Sequence, residues 1–431
     1  LLQRLIIDAT GAETGDDWSL AATCWLHACA LAPEDHRLAN NAAHALWLAD
    51  QPARALDVVR RAVRLAPAEP LPWRNLANIL RDLNRFEEAE MAYGRTMALE
   101  GHRHPLSAWN RSQTLIGLER YEQAYCLAER RFELSAMEAW RRGPTWQGWP
   151  WGRPSAATTV HVWSEQGLGD TLQYVRWLPP LLARGHAVQL EVESCLVNLL
   201  RRGLAWAGGD LIVRAKGTIP TPAEDCCHGS IMSLPWLLGG APLVGADPAA
   251  PAYLRDPAWQ PRRPASRSGS ARIGLVWASG RKLDEPFMAR EYRRRTLPAA
   301  SLERLLAGLE RLDPRPELIN LQLGDDRLLA SGWNGHWAGE LNETADFAAT
   351  ANLISQLDLV ISVDTASAHL LGAIGAPGWI LLPWSSDPRW LRQRHDSPWY
   401  PSLRLWRQPR HQDWDGLVDQ VLTGLAILLR R

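Results

Sequence analysis

The sequence predicts an array of α-helical repeats followed by an α/β region made of two doubly wound halves. Two observations carry this expectation: a 34-residue period through the first third, and strand–turn–helix units after it whose turns are rich in Gly, Ala, Ser and Thr. The chain is 431 residues long, more than one compact core accommodates, so two or three domains are expected. Its 46% hydrophobic and 22% charged residues are globular composition and exclude a disordered chain.

The period is explicit. Leu31, Leu65 and Leu99 recur every 34 residues, as do Ala21, Ala55 and Ala89, the pair Asn41 and Asn75, and the pair Ala43 and Ala77. After Gly101 the register slips by one, which places Asn110, Ala124 and Leu134 at 35 from Asn75, Ala89 and Leu99. Two amphipathic helices per period resemble the tetratricopeptide repeat, most closely in PWRNLANILRDLNRFEEAEMAYGRTMAL (72 to 99). About three repeats are expected between residues 35 and 134, preceded by a worn partial one. Such an array offers a concave surface and no chemistry of its own. It would recognise a protein or glycan partner, or else serve as a packing or dimerising platform for the next domain. His27, His36, His44, His102 and His104 read as surface or packing residues.

Past a Trp-, Gly- and Pro-rich connector (143 to 154) the pattern changes. Residues 159 to 163 read as a buried strand, 164 to 170 as a tight turn, 171 to 182 as a helix and 187 to 192 as the next strand. Gly167 and Gly169 allow close backbone approach, and Asp170 falls at the helix start. The turn is neither a dinucleotide fingerprint nor a phosphate-binding P-loop. After a Pro/Ser/Arg linker, strands are expected at 273 to 277, 316 to 323, 357 to 363 and 379 to 382, with a last helix over 414 to 429. Between the last two strands lies Asp364-Thr365-Ala366-Ser367-Ala368-His369, running into a helix ended by Gly375. A helix N-terminus presents unpaired amides and favours an anion. Thr365 and Ser367 add hydroxyls, Ala366 leaves room, and His369 lies one turn in. The alternative is that Thr365 merely caps the helix and His369 packs between helices.

SEQGLGDTLQYVRWLP (164 to 179), IGLVWASG (273 to 280), LDLVISVDTASAHLLGAIGAP (357 to 377) and SPWYPSLRLWRQ (397 to 408) together resemble the heptosyltransferase-like glycosyltransferases (family 9 and relatives). The resemblance implies a GT-B fold of two Rossmann-like lobes, with the repeats over 1–140, an acceptor-side lobe over 141–260 and a nucleotide-sugar lobe over 271–431. It implies lobe closure about the linker near 255 to 271, and a C-terminal helix crossing back to the first lobe. It also implies an inverting transfer from a nucleoside-diphosphate sugar to an acceptor hydroxyl. Asp170 matches the general base, and Glu165 offers a second carboxylate nearby. Gly169, Asp364, Thr365, Ala366, Ser367 and His369 match the nucleotide-sugar-binding turns, with Ala366 where relatives often carry Gly and Ser164 where they often carry Gly. Arg295 is the candidate phosphate-holding cation, with Arg281 or Lys282 as alternatives, and Asp346-Phe347 falls where relatives line the base pocket. A competing reading is a non-catalytic scaffold with a degenerate GT-B domain; a third, a nucleotide-sugar epimerase, has no supporting residues.

No cofactor beyond the sugar nucleotide is expected. Cys226-Cys227-His228 falls short of a four-ligand site, so no metal is expected. Forty-seven basic residues balance forty-seven acidic ones, which argues against a nucleic-acid partner. No stretch approaches the ~18 apolar residues of a membrane span, the first thirty residues lack a signal-peptide layout, and the cysteines are scattered. A cytoplasmic location is therefore expected.

Overall fold

The computed structural model describes residues 1–101, 104–134, 159–218, 227–238, 252–259 and 270–430. The first part is four helix pairs: α1 (Leu2–Thr14) with α2 (Trp18–Leu31), α3 (His36–Leu48) with α4 (Pro52–Leu65), α5 (Pro70–Asp82) with α6 (Phe86–Leu99), and α7 (Pro105–Gly117) with α8 (Tyr121–Ala128). The segment expected to be a worn partial repeat is a full pair, because Ala9 and Ala12 of α1 are buried as their counterparts are. Ala21, Ala55, Ala89 and Ala124 are each fully buried, so the small residues at the period let the helices approach closely.

One turn device repeats inside every pair. Asp16, Asp50, Asn84 and Glu119 all have positive φ, between 57° and 62°. The residue after each donates its N–H five residues back, Asp17 to Ala12, Gln51 to Leu46, Arg85 to Leu80 and Arg120 to Leu115, all at 2.9 Å. This is a left-handed helix stop that satisfies free carbonyls, and Asp and Asn tolerate it better than most residues.

The rest of the described chain forms two parallel sheets. The first holds β1 (Thr159–Trp163), β2 (Ala187–Val192), β3 (Leu211–Ala215) and β4 (Cys227–Ser230) in the order β3-β2-β1-β4. Its helices are α9 (Leu168–Tyr174), α10 (Leu178–Ala183), α11 (Ser194–Gly203) and the short α12 (Leu234–Leu237). The helix expected over 171 to 182 is broken, because Pro179 and Pro180 open α10 and supply no N–H to continue the ladder.

The second sheet holds β5 (Arg272–Val276), β6 (Glu317–Asn320), β7 (Gly339–Glu340), β8 (Leu359–Val363), β9 (Gly378–Leu382) and β10 (Leu403–Arg407), in the order β10-β9-β8-β5-β6-β7. Counted within this half, that is the 3-2-1-4-5-6 order of the doubly wound fold, and the first sheet carries the same order as far as its four strands go. The helices are α13 (Pro286–Arg295), α14 (Ala299–Glu310), α15 (Phe347–Ile354), α16 (Ala366–Ile374) and α17 (Trp414–Leu429). A repeat array followed by two doubly wound sheets, as in the GT-B layout, is the fold class expected.

One expectation is corrected. The C-terminal helix α17 buries Leu417, Val418, Val421 and Leu425 with Leu302, Leu305 and Leu309 of α14 in the core of the second sheet. Ser301–Asp415 and Arg304–Asp419 hydrogen bonds lock the same pair, so α17 serves its own lobe because its apolar stripe matches that of α14. The described part of the linker is tied down: Tyr253 and Leu254 N–H both meet the Ala373 carbonyl at 3.0 Å, and Arg255 N–H meets that of Gly203 at 2.8 Å. Residues 260–269 lie outside the described residues, as do the connector at 143 to 154 and Cys226.

The chain divides into two compact units. One unit is Leu1–Glu138 with Arg281–Arg293 and Ser385–Arg392; both sheets fall in the other. In the first unit Arg290, only 1% exposed, binds Asp82 at 2.5 Å and Asp50 at 3.2 Å. Its guanidinium lies 4.8 Å from the centre of the Trp47 ring, on which Phe287 also stacks. Arg392 binds Glu87 at 2.8 Å and the Asn84 carbonyl at 2.9 Å, and covers the Phe86 ring. Part of the repeat surface therefore holds two later segments of its own chain.

Candidate functional site

Parallel doubly wound sheets bind ligands outside the carboxyl ends of their strands, where strand order reverses. In the first sheet that point lies between β1 and β4, and the chain leaving β1 there is Ser164 to Asp170. In the second it lies between β5 and β8, and the chain leaving β8 is Asp364 to His369. Both expected turns thus occupy the switch point of their own sheet. Sheet order, which no motif encodes, puts them there.

The two turns also meet. A Cβ built on Gly169 would lie 2.7 Å from Cδ2 and 3.4 Å from Nε2 of His369, and 3.6 Å from the Ala366 Cα. Only a hydrogen side chain allows α9 and α16 to approach this closely. Asp170, third residue of α9, is half-buried and accepts the Gly167 N–H at 3.0 Å. Glu165 is fully buried, so Asp170 is the more open carboxylate of the pair. Ser164 donates to Glu193 at 2.9 Å, and Lys216 pairs with the same carboxylate.

On the second lobe Thr365 is the N-cap residue of α16, yet its side chain makes no capping bond. Thr365, Ala366 and Ser367 are half-buried, while Asp364 and His369 are each 3% exposed. His369 Nδ1 lies 2.7 Å from the Tyr400 hydroxyl, whose ring fits against α16 because residue 372 is glycine: a Cβ there would be 2.0 Å from the ring.

Arg295 closes α13 and is half-buried. The next residues return to the mouth of β5, with the Ser279 N–H reaching the Thr296 hydroxyl at 3.3 Å and the Leu297 N–H reaching the Trp277 carbonyl at 2.9 Å. Arg295 is thereby held beside the switch point by its chain neighbours. The alternatives Arg281 and Lys282 are exposed. Asp346 caps α15 through the Ala349 N–H at 2.8 Å and accepts from Asn198 of α11 at 2.8 Å. Burial raises its carboxyl pKa, but these hydrogen bonds outweigh that and hold it below the usual range. Its oxygens are spent on holding α15 to α11.

Sequence reasoning missed three residues. Arg407 ends β10, two strands from β8; burial pushes its pKa down to about 10, opposed by the carboxylate of Asp364. Tyr400 holds His369. Arg176 is buried between the lobes, donating to the Gln173 carbonyl at 2.9 Å and the Trp399 carbonyl at 3.0 Å, with the rings of Tyr253, Tyr400 and Trp399 within about 5 Å. Tyr400 and Arg407 sit in the 397 to 408 stretch, and a cation at a strand's carboxyl end was the signal available for Arg407. Among the described residues no cluster of three or more His, Cys, Asp or Glu side chains could hold a metal ion, and no helix is long and apolar enough to cross a membrane.

No known family model matches the chain. It is similar to Protein FlbA of Caulobacter vibrioides, at 25% identity over 94% of this chain and 75% of that protein. Among solved structures, E. coli ADP-heptose lps heptosyltransferase II aligns with 63% of this chain and 99% of its own at 15% identity and a TM-score of 0.41. A Thermobaculum terrenum O-GlcNAc transferase mutant aligns with 100% of this chain and 92% of its own at 14% identity and a TM-score of 0.32.

Proposed function

We propose that the two-sheet unit is an inverting, metal-independent glycosyltransferase that moves a sugar from a nucleoside diphosphate to an acceptor hydroxyl. The observation that carries this reading is the contact of Gly169 with His369, which joins a carboxylate turn on one lobe to an anion-favouring helix start on the other. The acceptor hydroxyl loses its proton to Asp170 as its oxygen attacks the anomeric carbon from the face opposite the diphosphate. The bond from that carbon to the diphosphate oxygen breaks, and negative charge grows on the leaving group. The first-turn amides of α16, the hydroxyls of Thr365 and Ser367, His369, and the cations Arg295 and Arg407 are aimed at that charge, fixed before the reaction begins.

The acceptor is a protein or glycan. The repeats contribute to choosing it only with surface other than that around Trp47, Asp50, Asp82 and Phe86, which their own chain occupies.

Thermal unfolding with UDP, GDP, ADP, CMP and TDP tests the donor site. A nucleotide at ~100 times its dissociation constant stabilises by about 2.7 kcal/mol, several degrees in midpoint. One nucleotide is expected to produce the shift, and Asp364→Ala/His369→Ala to abolish it. No shift with any nucleotide moves the weight to the non-catalytic scaffold.

A further inference from the structure

Residues 252 to 259 lie between the two lobes, and each lobe makes room for them with a glycine. Gly203 ends α11 of the first lobe, where a Cβ would stand 3.0 Å from both the Leu254 Cβ and the Trp259 Cζ3. Gly375 follows α16 of the second lobe at a φ of 71°, where a Cβ would stand 3.2 Å from that of Ala252. Leu254 and Trp259 are both buried. The hydrogen bonds of this stretch alternate between the lobes. The Tyr253 and Leu254 N–H groups go to the Ala373 carbonyl of α16, while the Arg255 N–H goes to the Gly203 carbonyl of α11. The Tyr253 carbonyl accepts from Trp206 at 3.0 Å, and its hydroxyl donates to the Leu172 carbonyl at 2.6 Å, both on the first lobe. Asp256 accepts from Arg202 of α11 at 2.7 Å. Trp259 donates to Asn352 of α15 at 2.8 Å, and the Ala258 carbonyl accepts from Ser355 at 3.3 Å, both on the second lobe.

A hinge works through a few residues whose φ and ψ change while the bodies on either side keep their contacts. Here three consecutive residues, Tyr253, Leu254 and Arg255, are bonded to opposite lobes, so no rotation of the lobes leaves all of these bonds intact. Asn198 with Asp346, at 2.8 Å, and Arg176 with the Trp399 carbonyl, at 3.0 Å, join the lobes directly as well. We infer that residues 252 to 259 are a rivet that fixes the two lobes in one relative position, so that the turns carrying Asp170 and Asp364 are held together before any ligand arrives. Ligands then enter by movement of loops, without the lobe closure that the family resemblance implies. The presetting of a donor crevice rests on the proposed donor site; the rivet itself does not.

Spin-label distances test the rivet in the whole chain. A ketone-bearing amino acid at Ala183 of α10 and at Arg311, just after α14, both exposed, carries the labels and leaves the native cysteines untouched. The free protein is expected to give one narrow distance distribution. Saturating UDP, GDP, ADP, CMP or TDP is expected to move it by less than ~2 Å. A broad or two-peaked distribution in the free protein, or a larger shift with nucleotide, overturns the rivet.

Two variants ask whether this stretch is what holds the lobes. Gly203→Leu keeps a helix-forming residue at the end of α11 but drives its side chain into Leu254 and Trp259. Arg202→Ala/Trp206→Phe removes two exposed ties to Asp256 and Tyr253, and it decides if the first variant does not fold. A second, longer distance is expected to appear in the free variant. A folded Gly203→Leu protein, or failing that a folded double variant, with the original distribution overturns the rivet. Where a nucleotide binds, its affinity should fall in proportion to the fraction of molecules that has opened. Unchanged affinity in a variant seen to open overturns the presetting of the donor crevice. If no nucleotide binds, the donor-site reading falls, and the distances in the free protein and its variants alone judge the rivet.

Discussion

The α-carbon of Gly169 and the imidazole of His369 lie so close that a methyl group on Gly169 would stand 2.7 Å from Cδ2. His369 is buried and its Nδ1 is held by Tyr400, so it cannot swing away cheaply. Gly169→Ala is expected to cost about 1–3 kcal/mol, as overpacking does, and to weaken nucleotide binding by at least tenfold. Thermal unfolding with and without nucleotide reads both; unchanged affinity would mean that the turns need not touch for the donor to bind.

Asp170→Asn removes the proposed base but keeps a side chain that fits the same space. Turnover is expected to fall by about 10²- to 10⁴-fold with nucleotide affinity little changed. Glu165→Gln, at a fully buried site, should show its effect mainly in stability. Single-turnover rates separate the two, and the reverse pattern would move the base to Glu165.

Arg407 carries a second donor-side expectation. With its pKa near 10 it is a cation at neutral pH, and its charge is lost as pH rises through that value. Arg407→Met should weaken a nucleoside diphosphate by about 1.5–3 kcal/mol, the worth of a charged hydrogen bond. Affinity in the unaltered protein should decline further above pH ~10. A variant that binds as tightly as the original would remove Arg407 from the site.

The two arginines docked on the repeats should behave differently. Arg290→Ala takes one buried cation from Asp82, which Arg81 also faces, and is expected to cost about 3–5 kcal/mol. The Arg392–Glu87 pair is far more exposed, and its loss should cost no more than about 1 kcal/mol. Denaturant midpoints of the two variants check the ranking, and equal effects would contradict it.

Glu119 occupies the left-handed turn position that Asp or Asn fills in the other three pairs, and it is exposed. Relieving its φ of 60° with Glu119→Gly should stabilise by up to about 1 kcal/mol, while a β-branched residue, as in Glu119→Val, should destabilise by a similar amount. The midpoint of thermal unfolding decides it; a lower midpoint for the glycine variant would count against strain at this turn.

Much of the architecture was legible because it is written in local periodicity. The 34-residue recurrence of Ala21, Ala55 and Ala89 marked the repeats, and apolar runs bounded by small residues marked β1, β5 and β8. What stayed hidden depends on residues far apart in the chain. Arg290 carries no local signal of its role, because its partner Asp82 lies 208 residues away. Arg407 comes near Asp364 only because β10, β9 and β8 stand side by side, and Tyr400 reaches His369 only because residue 372 lacks a side chain. The direction of the C-terminal helix failed for the same reason. Its apolar stripe was visible in the sequence, but the partner stripe on α14 was one of several available.

The docking of residues 281–293 and 385–392 onto the repeats bears on modularity. Sequence periodicity invites a cut near residue 140, as if the array were a cassette to be moved between proteins. A fragment ending there would bare Trp47 and Phe86 and take Arg290 away from Asp50 and Asp82. The array would lose what seals it, and the remainder would keep two orphaned segments. Grafting these repeats onto another enzyme therefore means carrying their two stretches of the later chain along with them.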